Sequence, residues 1–427
     1  MRPRNTESHV IVVGGGVIGV CCAYYLVARG ARVTLVERGQ LGRGASFGNA
    51  GLVSPGHPPI NRPGRVRQAL RSLADPLSPL FIAPRWDPAL AAWLVSFSRF
   101  CTRAHLERSM EVVARLGRET ASLFDELVSG EKLECGYRRT GYLEVFATEE
   151  GLAHGRQEAA LVERHGIATE RLDGNGLRER EPSLREEIRG GWYHPEGRIV
   201  DPFRFVLELA SRARDHGAEL RTSVEVTDIL AGPERMRGVR LASGEVIEAE
   251  SVVVATGAYS PGLARRIGFP LPIQPAKGYH CDRDPSGPGA PPLTVPCLLG
   301  ERSVFCSPMG DSVRFAGTLE FSGENHDIRR PRLEQLTRAA AAYLRGVGDS
   351  EAQSEWCGLR PCLPDGLPVV GQVPGIVGAF VATGHAMLGL TLGPVTGRLV
   401  SELVLDGAPS LDIAALSPER FIRGRRG

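Results

Sequence analysis

Apolar positions run almost unbroken through HVIVVG at 9–14, the texture of a strand buried on both faces, and continue from Val17 to Arg29 in a helical span closed by Gly30. The run ARVTLVE (31–37) supplies a second strand, so the chain opens as strand, helix, strand. Leu106, Met110, Val113, Leu116, Thr120, Phe124 and Leu127 recur at helical spacing and predict an amphipathic helix over 103–129. Period-two patterns with β-branched and aromatic residues predict strands at 140–148 (TGYLEVFAT), 271–282 (LPIQPAKGYHCD), 303–308 (SVFCSP) and 312–321 (SVRFAGTLEF). Asp201-Pro202 reads as the N-cap and first-turn proline of a helix with Phe205, Val206, Leu209 and Ala213 on its apolar face and Gly217 at its end. The strands LRTSVEVTDI (220–229) and ESVVVATG (250–257) follow, then a helix over 331–345, a strand AFVATG (379–384) and a helix from about Thr391 to Leu405.

The texture between these elements changes more than once. Eight prolines fall between Pro55 and Pro88, which excludes a long regular element there and predicts an excursion over the surface. The expected fold class is α/β: a Rossmann-like nucleotide-binding domain interleaved with an α+β domain built on a mainly antiparallel sheet. The expected boundaries give 1–56, 196–268 and 355–427 to the first domain, and 57–195 and 269–354 to the second. Such interleaving places a site at the junction.

Composition narrows the class. The chain has 427 residues, 42% of them hydrophobic and 23% charged, which is ordinary globular usage. With 51 basic against 49 acidic residues, the formal charge of +2 provides no global field for nucleic acid. Only Lys132 and Lys277 are lysines. No stretch reaches the roughly 18 apolar residues of a spanning helix. The opening MRPRNTESHVIVV lacks a cleavable signal pattern, so a cytoplasmic protein is expected. Nine cysteines without a CxxC pair form neither a disulfide framework nor a metal site.

The motif with most chemistry is Gly14-x-Gly16-x-x-Gly19, because it follows a buried strand, opens a helix with Val17 and Ile18, and has Glu37 at the end of the next strand. Gly14 allows the tight turn, Gly16 the close approach of a pyrophosphate, and Gly19 the packing of helix on strand. Glu37 suits a ribose and repels a 2′-phosphate. No second GxGxxG occurs, so one dinucleotide is expected.

Together with the run ASFGNAGLVSPG (45–56), ATG at 255–257, KGY at 277–279, GLRPCLPDGLPVVG (358–371) and GHAMLGLTLGP (384–394), the chain resembles the glycine oxidase and D-amino-acid dehydrogenase branch of the FAD-dependent amine oxidoreductases over nearly its whole length. The likeness is greatest to D-amino-acid dehydrogenases of the small-subunit type. It implies non-covalent FAD, with Glu37 and Arg38 at the adenosine ribose and Ser46, Asn49, Ala50, Gly51 and Leu52 along the pyrophosphate and flavin. It also implies that Val224 meets adenine through its backbone and that Ala255, Thr256 and Gly257 close the nucleotide site. Gly384, His385, Met387, Leu388, Gly389, Leu390 and Thr391 would wrap the pyrimidine end of the flavin. A helix beginning near Thr391 would point its partial positive charge at that end, where reduction leaves negative charge.

By the same resemblance Arg360 clamps the substrate carboxylate; Tyr279 either donates to it or is plain packing at a strand end, the commoner case, and His385 either stands at the flavin edge or is an ordinary turn histidine. Glycine oxidases carry an arginine where this chain has Met387 and a tyrosine where it has Phe305, which predicts a more apolar pocket suited to a larger or cyclic side chain such as D-proline or hydroxy-D-proline. Related sarcosine oxidases attach flavin through a cysteine where this chain has Gly358, and place a lysine over the flavin where SVRFAGTLEF has none. The implied reaction is oxidation of a D-amino acid to its imino acid by hydride transfer to flavin N5, with electrons passed to a quinone-like acceptor. A glycine or sarcosine oxidase, a flavin-bearing chain active only in a hetero-oligomer, a homo-oligomer and an NAD-dependent dehydrogenase all stay open. So does a peripheral contact with the inner face of a membrane through Leu77, Leu80, Phe81, Ile82 and Trp86, or through the tail arginines Arg420, Arg423, Arg425 and Arg426; packing over the enzyme's own core is the commoner explanation of the apolar run, and solvation that of a short charged terminus.

Overall fold

The computed structural model describes residues 8–72, 75–284, 290–347 and 352–423, so Arg425 and Arg426 lie outside the described residues. The strand His9–Val13 sits inside a six-stranded sheet ordered Val369–Gln372, Ala379–Thr383, Ser251–Val254, His9–Val13, Arg32–Val36, Glu219–Arg221. Every neighbouring pair is parallel except the Val369–Gln372 edge. Parallel strands covered on both faces need apolar residues at every position, and Val10, Ile11, Val12 and Val13 are all buried.

The helix Val17–Ala28 is buried almost all round because it lies between the helices Pro202–Asp215 and Gly389–Leu405. The approach is close: a Cβ at Gly397 would come within 2.6 Å of the Cys21 carbonyl oxygen. The helix Pro202–Asp215 begins as its sequence predicts, the Asp201 carboxylate accepting from the amides of Phe203 and Arg204 at 2.9 and 3.0 Å.

A nine-stranded sheet forms the second layer, ordered Ser354–Cys362, Gln274–Arg283, Ser312–Phe321, Val304–Met309, Cys297–Leu299, Tyr142–Phe146, Gly190–His194, Glu170–Asp173, with Leu80–Ile82 paired to Ser312–Phe321. Its pairings are antiparallel apart from two. The helix Arg103–Gly130 carries the expected apolar stripe, with Met110, Val113, Leu116, Phe124 and Leu127 buried. The remaining sheets are three-stranded, Val226–Ala231, Met236–Leu241 and Val246–Glu248, and two-stranded, Leu52–Val53 with Arg198–Ile199.

Three expectations shift. The run LRTSVEVTDI makes two short strands in different sheets. The chain turns at Ser223 (φ 57°), where the amides of Ser223 and Val224 donate to the carbonyls of Gly39 and Glu37. The segment 355–362, assigned above to the nucleotide domain, hydrogen-bonds to Gln274–Arg283 in the nine-stranded sheet. The proline-rich excursion holds a helix, Arg65–Ser72, and its residues Leu80 and Phe81 are buried while Trp86 is 95% exposed. Among the described residues no helix is long and apolar enough to cross a membrane.

Candidate active site

One continuous cavity of about 1540 Å³ runs between the two large sheets. Its first part is built by the turn after His9–Val13. Gly14 has φ 112° and a Cβ there would stand 2.5 Å from the Ala255 carbonyl oxygen, while one on Gly19 would strike the Gly14 carbonyl oxygen at 1.8 Å. These two glycines make the turn and the packing; Gly16, whose Cβ would meet only the Ser46 hydroxyl at 3.4 Å, leaves the helix N-terminus open to a ligand. The Val17 amide donates to Ser46 Oγ at 3.0 Å. The Glu37 carboxylate accepts from the amides of Gly15 (2.7 Å) and Gly39 (2.8 Å), which fixes it at the cavity wall. Arg38 lies 3.7 Å over the Tyr259 ring. Val224 lines the same end, as do Ala255, Thr256 and Gly257.

The loop 45–52 crosses from this end to the nine-stranded sheet, and its position is set from behind. Arg314 Nη1 donates to the carbonyls of Phe47 (3.0 Å) and Asn49 (2.9 Å), Asn49 Oδ1 accepts from the Gly51 amide at 2.8 Å, and Ser307 Oγ donates to the Ala50 carbonyl at 2.6 Å. Trp356 lies so close over Gly48 that a Cβ there would be 2.0 Å from its ring. Ser46, Asn49, Ala50 and Leu52 line the cavity; Gly51 (φ 77°) and Gly384 (φ 79°) stand behind it as turn residues.

His385, Met387, Leu388, Gly389, Leu390 and Thr391 line the far end. The helix there begins at Gly389, two residues before the expected start, and its N-terminus faces the cavity. His385 Nε2 pairs with Thr396 Oγ1 at 3.0 Å, while Nδ1 is buried with no hydrogen-bond partner. Burial pushes its imidazole down to about 3, so it is neutral in use. These features fit a dinucleotide carrying a flavin: an open helix N-terminus between glycines, a fixed carboxylate for a ribose, and an unpartnered buried nitrogen at the second helix N-terminus.

Arg360 lies against Gly278, where a Cβ would be 2.3 Å from Nη1, and its guanidinium donates to the Thr318 carbonyl. Thr318 has φ 71°, an outlier for a β-branched residue, at a register shift in the pairing of its strand with Gln274–Arg283. Among the described residues no carboxylate pairs with Arg360. Burial lowers its pKa from the usual guanidinium value.

Tyr279 is a correction. It is buried, does not line the cavity, and its hydroxyl donates to Glu320 Oε2 at 3.3 Å. Side chains alternate along a strand, so Tyr279 faces away from Gly278 and Arg360. Glu320 also meets Arg332 Nε at 3.2 Å and Lys277 Nζ at 3.9 Å, a buried ionic cluster behind the sheet.

The cavity also collects residues that no motif marked. Tyr142 and Glu144 alternate inward from Tyr142–Phe146, and His194 stacks on Tyr142 at 4.3 Å with Glu144 Oε2 at 3.7 Å from its Nε2. His57, Arg62 and Arg65 enter from the proline-rich excursion. Burial, then the charges of Arg62, Arg360 and Arg65, hold His57 down to about 4. Phe305 and Met387, the two departures from glycine oxidase, both line the cavity.

Residues 9–403 match the model of the family described as FAD dependent oxidoreductase. The chain is 34% identical over 422 residues to a D-amino acid dehydrogenase of Methylobacterium nodulans, covering 97% of this chain and 99% of that protein. It is 32% identical over 418 residues to the protein of the same name from Xanthobacter autotrophicus, covering 96% and 99%. Among solved structures, glycine oxidase from Geobacillus kaustophilus superimposes with a TM-score of 0.76 at 25% identity, covering 96% of this chain and 98% of that one. The glycine turn, the fixed Glu37 and the loop held by Arg314 thus stand in a chain that belongs to the family of FAD-dependent oxidoreductases.

Proposed function

We propose that this enzyme oxidises a D-amino acid to the imino acid, and that the observation carrying the assignment is Arg360: a guanidinium lining the cavity without a carboxylate partner among the described residues. A planar guanidinium takes a carboxylate through two parallel hydrogen bonds, and the bond to Thr318 fixes its plane beforehand. FAD, when bound, supplies the acceptor of two electrons. Gly14, Gly16, Val17, Ile18, Glu37 and Arg38 would hold its adenosine and pyrophosphate, and Ser46 to Leu52 with His385 to Thr391 its flavin.

The chain's own residues have three tasks. Arg360 anchors the carboxylate and so orients the α-carbon. Arg62, Arg65 and Arg360 disfavour an ammonium, so the substrate amine is held as the free base whose lone pair drives loss of the α-hydrogen. Phe305, Met387 and Leu298 exclude water from the side-chain region. Two electrons and two protons leave the substrate, and water hydrolyses the imino acid to the oxo acid and ammonia.

The cofactor is proposed to be non-covalent, since among the described residues no cysteine lines the cavity and Cys357 turns its thiol to the His326 carbonyl. A quinone-like acceptor is supported by the lysines, neither of which reaches the cavity. Contact with a membrane surface, where such an acceptor resides, is supported by exposed Trp86, Leu70 and Val95 on the excursion and the helix after it. The interleaved two-domain division is likewise our reading, with its last boundary moved beyond Cys362.

The test is the visible spectrum of the purified protein under nitrogen during addition of single D- and L-amino acids, sarcosine and glycine. Bleaching by a D-series member supports the assignment, and Arg360→Lys should raise the concentration needed. Bleaching by L-amino acids alone, or by none of these compounds, overturns it.

A further inference from the structure

Charge in the inner cavity does not balance around one carboxylate. Arg62, Arg65 and Arg360 all line it, and the charge of each bears on His57, which lines it too. Arg62 is taken: its guanidinium pairs with Glu158 and donates to the Pro59 carbonyl at 3.2 Å. Arg65 is not. Its Nε donates to the Ile60 carbonyl at 3.3 Å and its Nη1 to Gln68 Oε1 at 2.5 Å, both neutral acceptors. Burial first, then the charge of Arg62, pulls its pKa down to about 10, so this guanidinium is partly desolvated yet still charged. Glu158 acts on Arg65 only from beyond ion-pair distance, and Glu144, which also lines the cavity, stands beside His194 with its Oε2 3.7 Å from Nε2. Once a substrate carboxylate settles on Arg360, one half-buried guanidinium on the cavity wall still lacks an ion-pair partner among the described residues, and a partly desolvated charge gains from one.

We propose that Arg65 is the second anion locus of the substrate site, and that the preferred substrate class is a D-amino acid with a carboxylate on its side chain. The proposal rests on the D-amino acid reading above. Arg65 opens the helix Arg65–Ser72, directly after Pro63-Gly64 at the cavity wall, so its backbone is held by a turn. In place of the apolar or cyclic side chain expected from Phe305 and Met387, it selects an acidic one whose methylenes pass those residues.

The comparison that isolates the charge is D-glutamate against D-glutamine, which share a shape. The wild-type enzyme should show a kcat/KM about tenfold or more higher for D-glutamate, the scale of a charge-assisted bond. Arg65→Gln should collapse that ratio towards one, and Arg65→Lys should keep part of it. Glutarate should perturb the flavin absorbance of the holoenzyme at lower concentration than butyrate, a readout independent of turnover. Equal kcat/KM for the two amino acids, or a ratio that survives in Arg65→Gln, overturns the second locus and leaves the D-amino acid reading intact. Loss of rate on both substrates in equal proportion means that Arg65 only steers anions inward, which also overturns it. A flavin bleached by neither D-amino acid nor any other overturns both readings together.

Discussion

Arg314 and Asp282 face each other across two antiparallel strands and share two hydrogen bonds of 2.8 Å, and the remaining guanidinium nitrogen of Arg314 reaches out of the sheet to the carbonyls of Phe47 and Asn49. The loop against which the cofactor would lie is therefore hung from the substrate sheet by a nearly buried ion pair. Removing one partner strands the other, at a cost of about 3–5 kcal/mol. Arg314→Met should lower the melting temperature and weaken FAD binding in a fluorescence titration. The double variant Arg314→Met with Asp282→Leu should regain most of the stability and little of the affinity, because the two loop carbonyls stay unpaired. Recovery of both together would show that the pair does not position the loop.

Tyr279 gives the opposite expectation. Its hydroxyl belongs to Glu320 behind the sheet, so Tyr279→Phe should leave KM within twofold and cost about 1 kcal/mol of stability, the net value of one hydrogen bond. A large rise in KM without loss of stability would return Tyr279 to the substrate.

The reason Tyr279 misleads in the sequence also says what the sequence can carry. The glycine turn and Glu37 are legible because a close backbone approach demands small residues at fixed spacing after a buried strand, whereas the loop 45–52 is legible only by resemblance. Arg360 is legible only by resemblance, since nothing in GLRP says that Gly278 across the strand pair is bare so that a guanidinium can lie on it. Tyr142 and Glu144 sit in a strand whose alternation is plain, yet alternation does not tell which face sees the cavity. His57, Arg62 and Arg65 come from a proline-rich stretch without periodicity, and only the tertiary fold brings them to Arg360. The break at Ser223 is invisible because both halves of LRTSVEVTDI have strand composition, and the turn is made by hydrogen bonds to Glu37 and Gly39.

Acid stability should reveal a buried histidine. His280 is fully buried, stacked on the Trp356 ring and packed against Phe47, and burial, aided by Arg314, holds it down to about 4. An unfolded histidine takes its proton near 6.5. Between about pH 6.5 and pH 4 the unfolded chain thus binds a proton that the native ring refuses, so this contribution to stability is present above 6.5 and is lost as pH falls. The slope is at most about 1.4 kcal/mol per pH unit for one such group. His280→Phe, which keeps a ring against its neighbours, should flatten the pH dependence of urea unfolding in that window. An unchanged slope would mean that His280 is not among the groups responsible.

The strained backbone at Thr318 should trade stability against substrate grip. A β-branched residue at φ 71° costs on the order of 1–3 kcal/mol, and the conformation turns the Thr318 carbonyl onto Arg360. Glycine adopts that φ without a Cβ clash but adds freedom to the unfolded chain, an opposing cost of about 0.5–1 kcal/mol. Thr318→Gly should therefore fold with equal or slightly greater stability in urea titrations. Its carbonyl, no longer pinned by a stiff side chain, should orient Arg360 less well, so KM should rise severalfold while kcat at saturation changes less. A variant both less stable and unaltered in KM would show that the bulge serves the sheet and not the arginine.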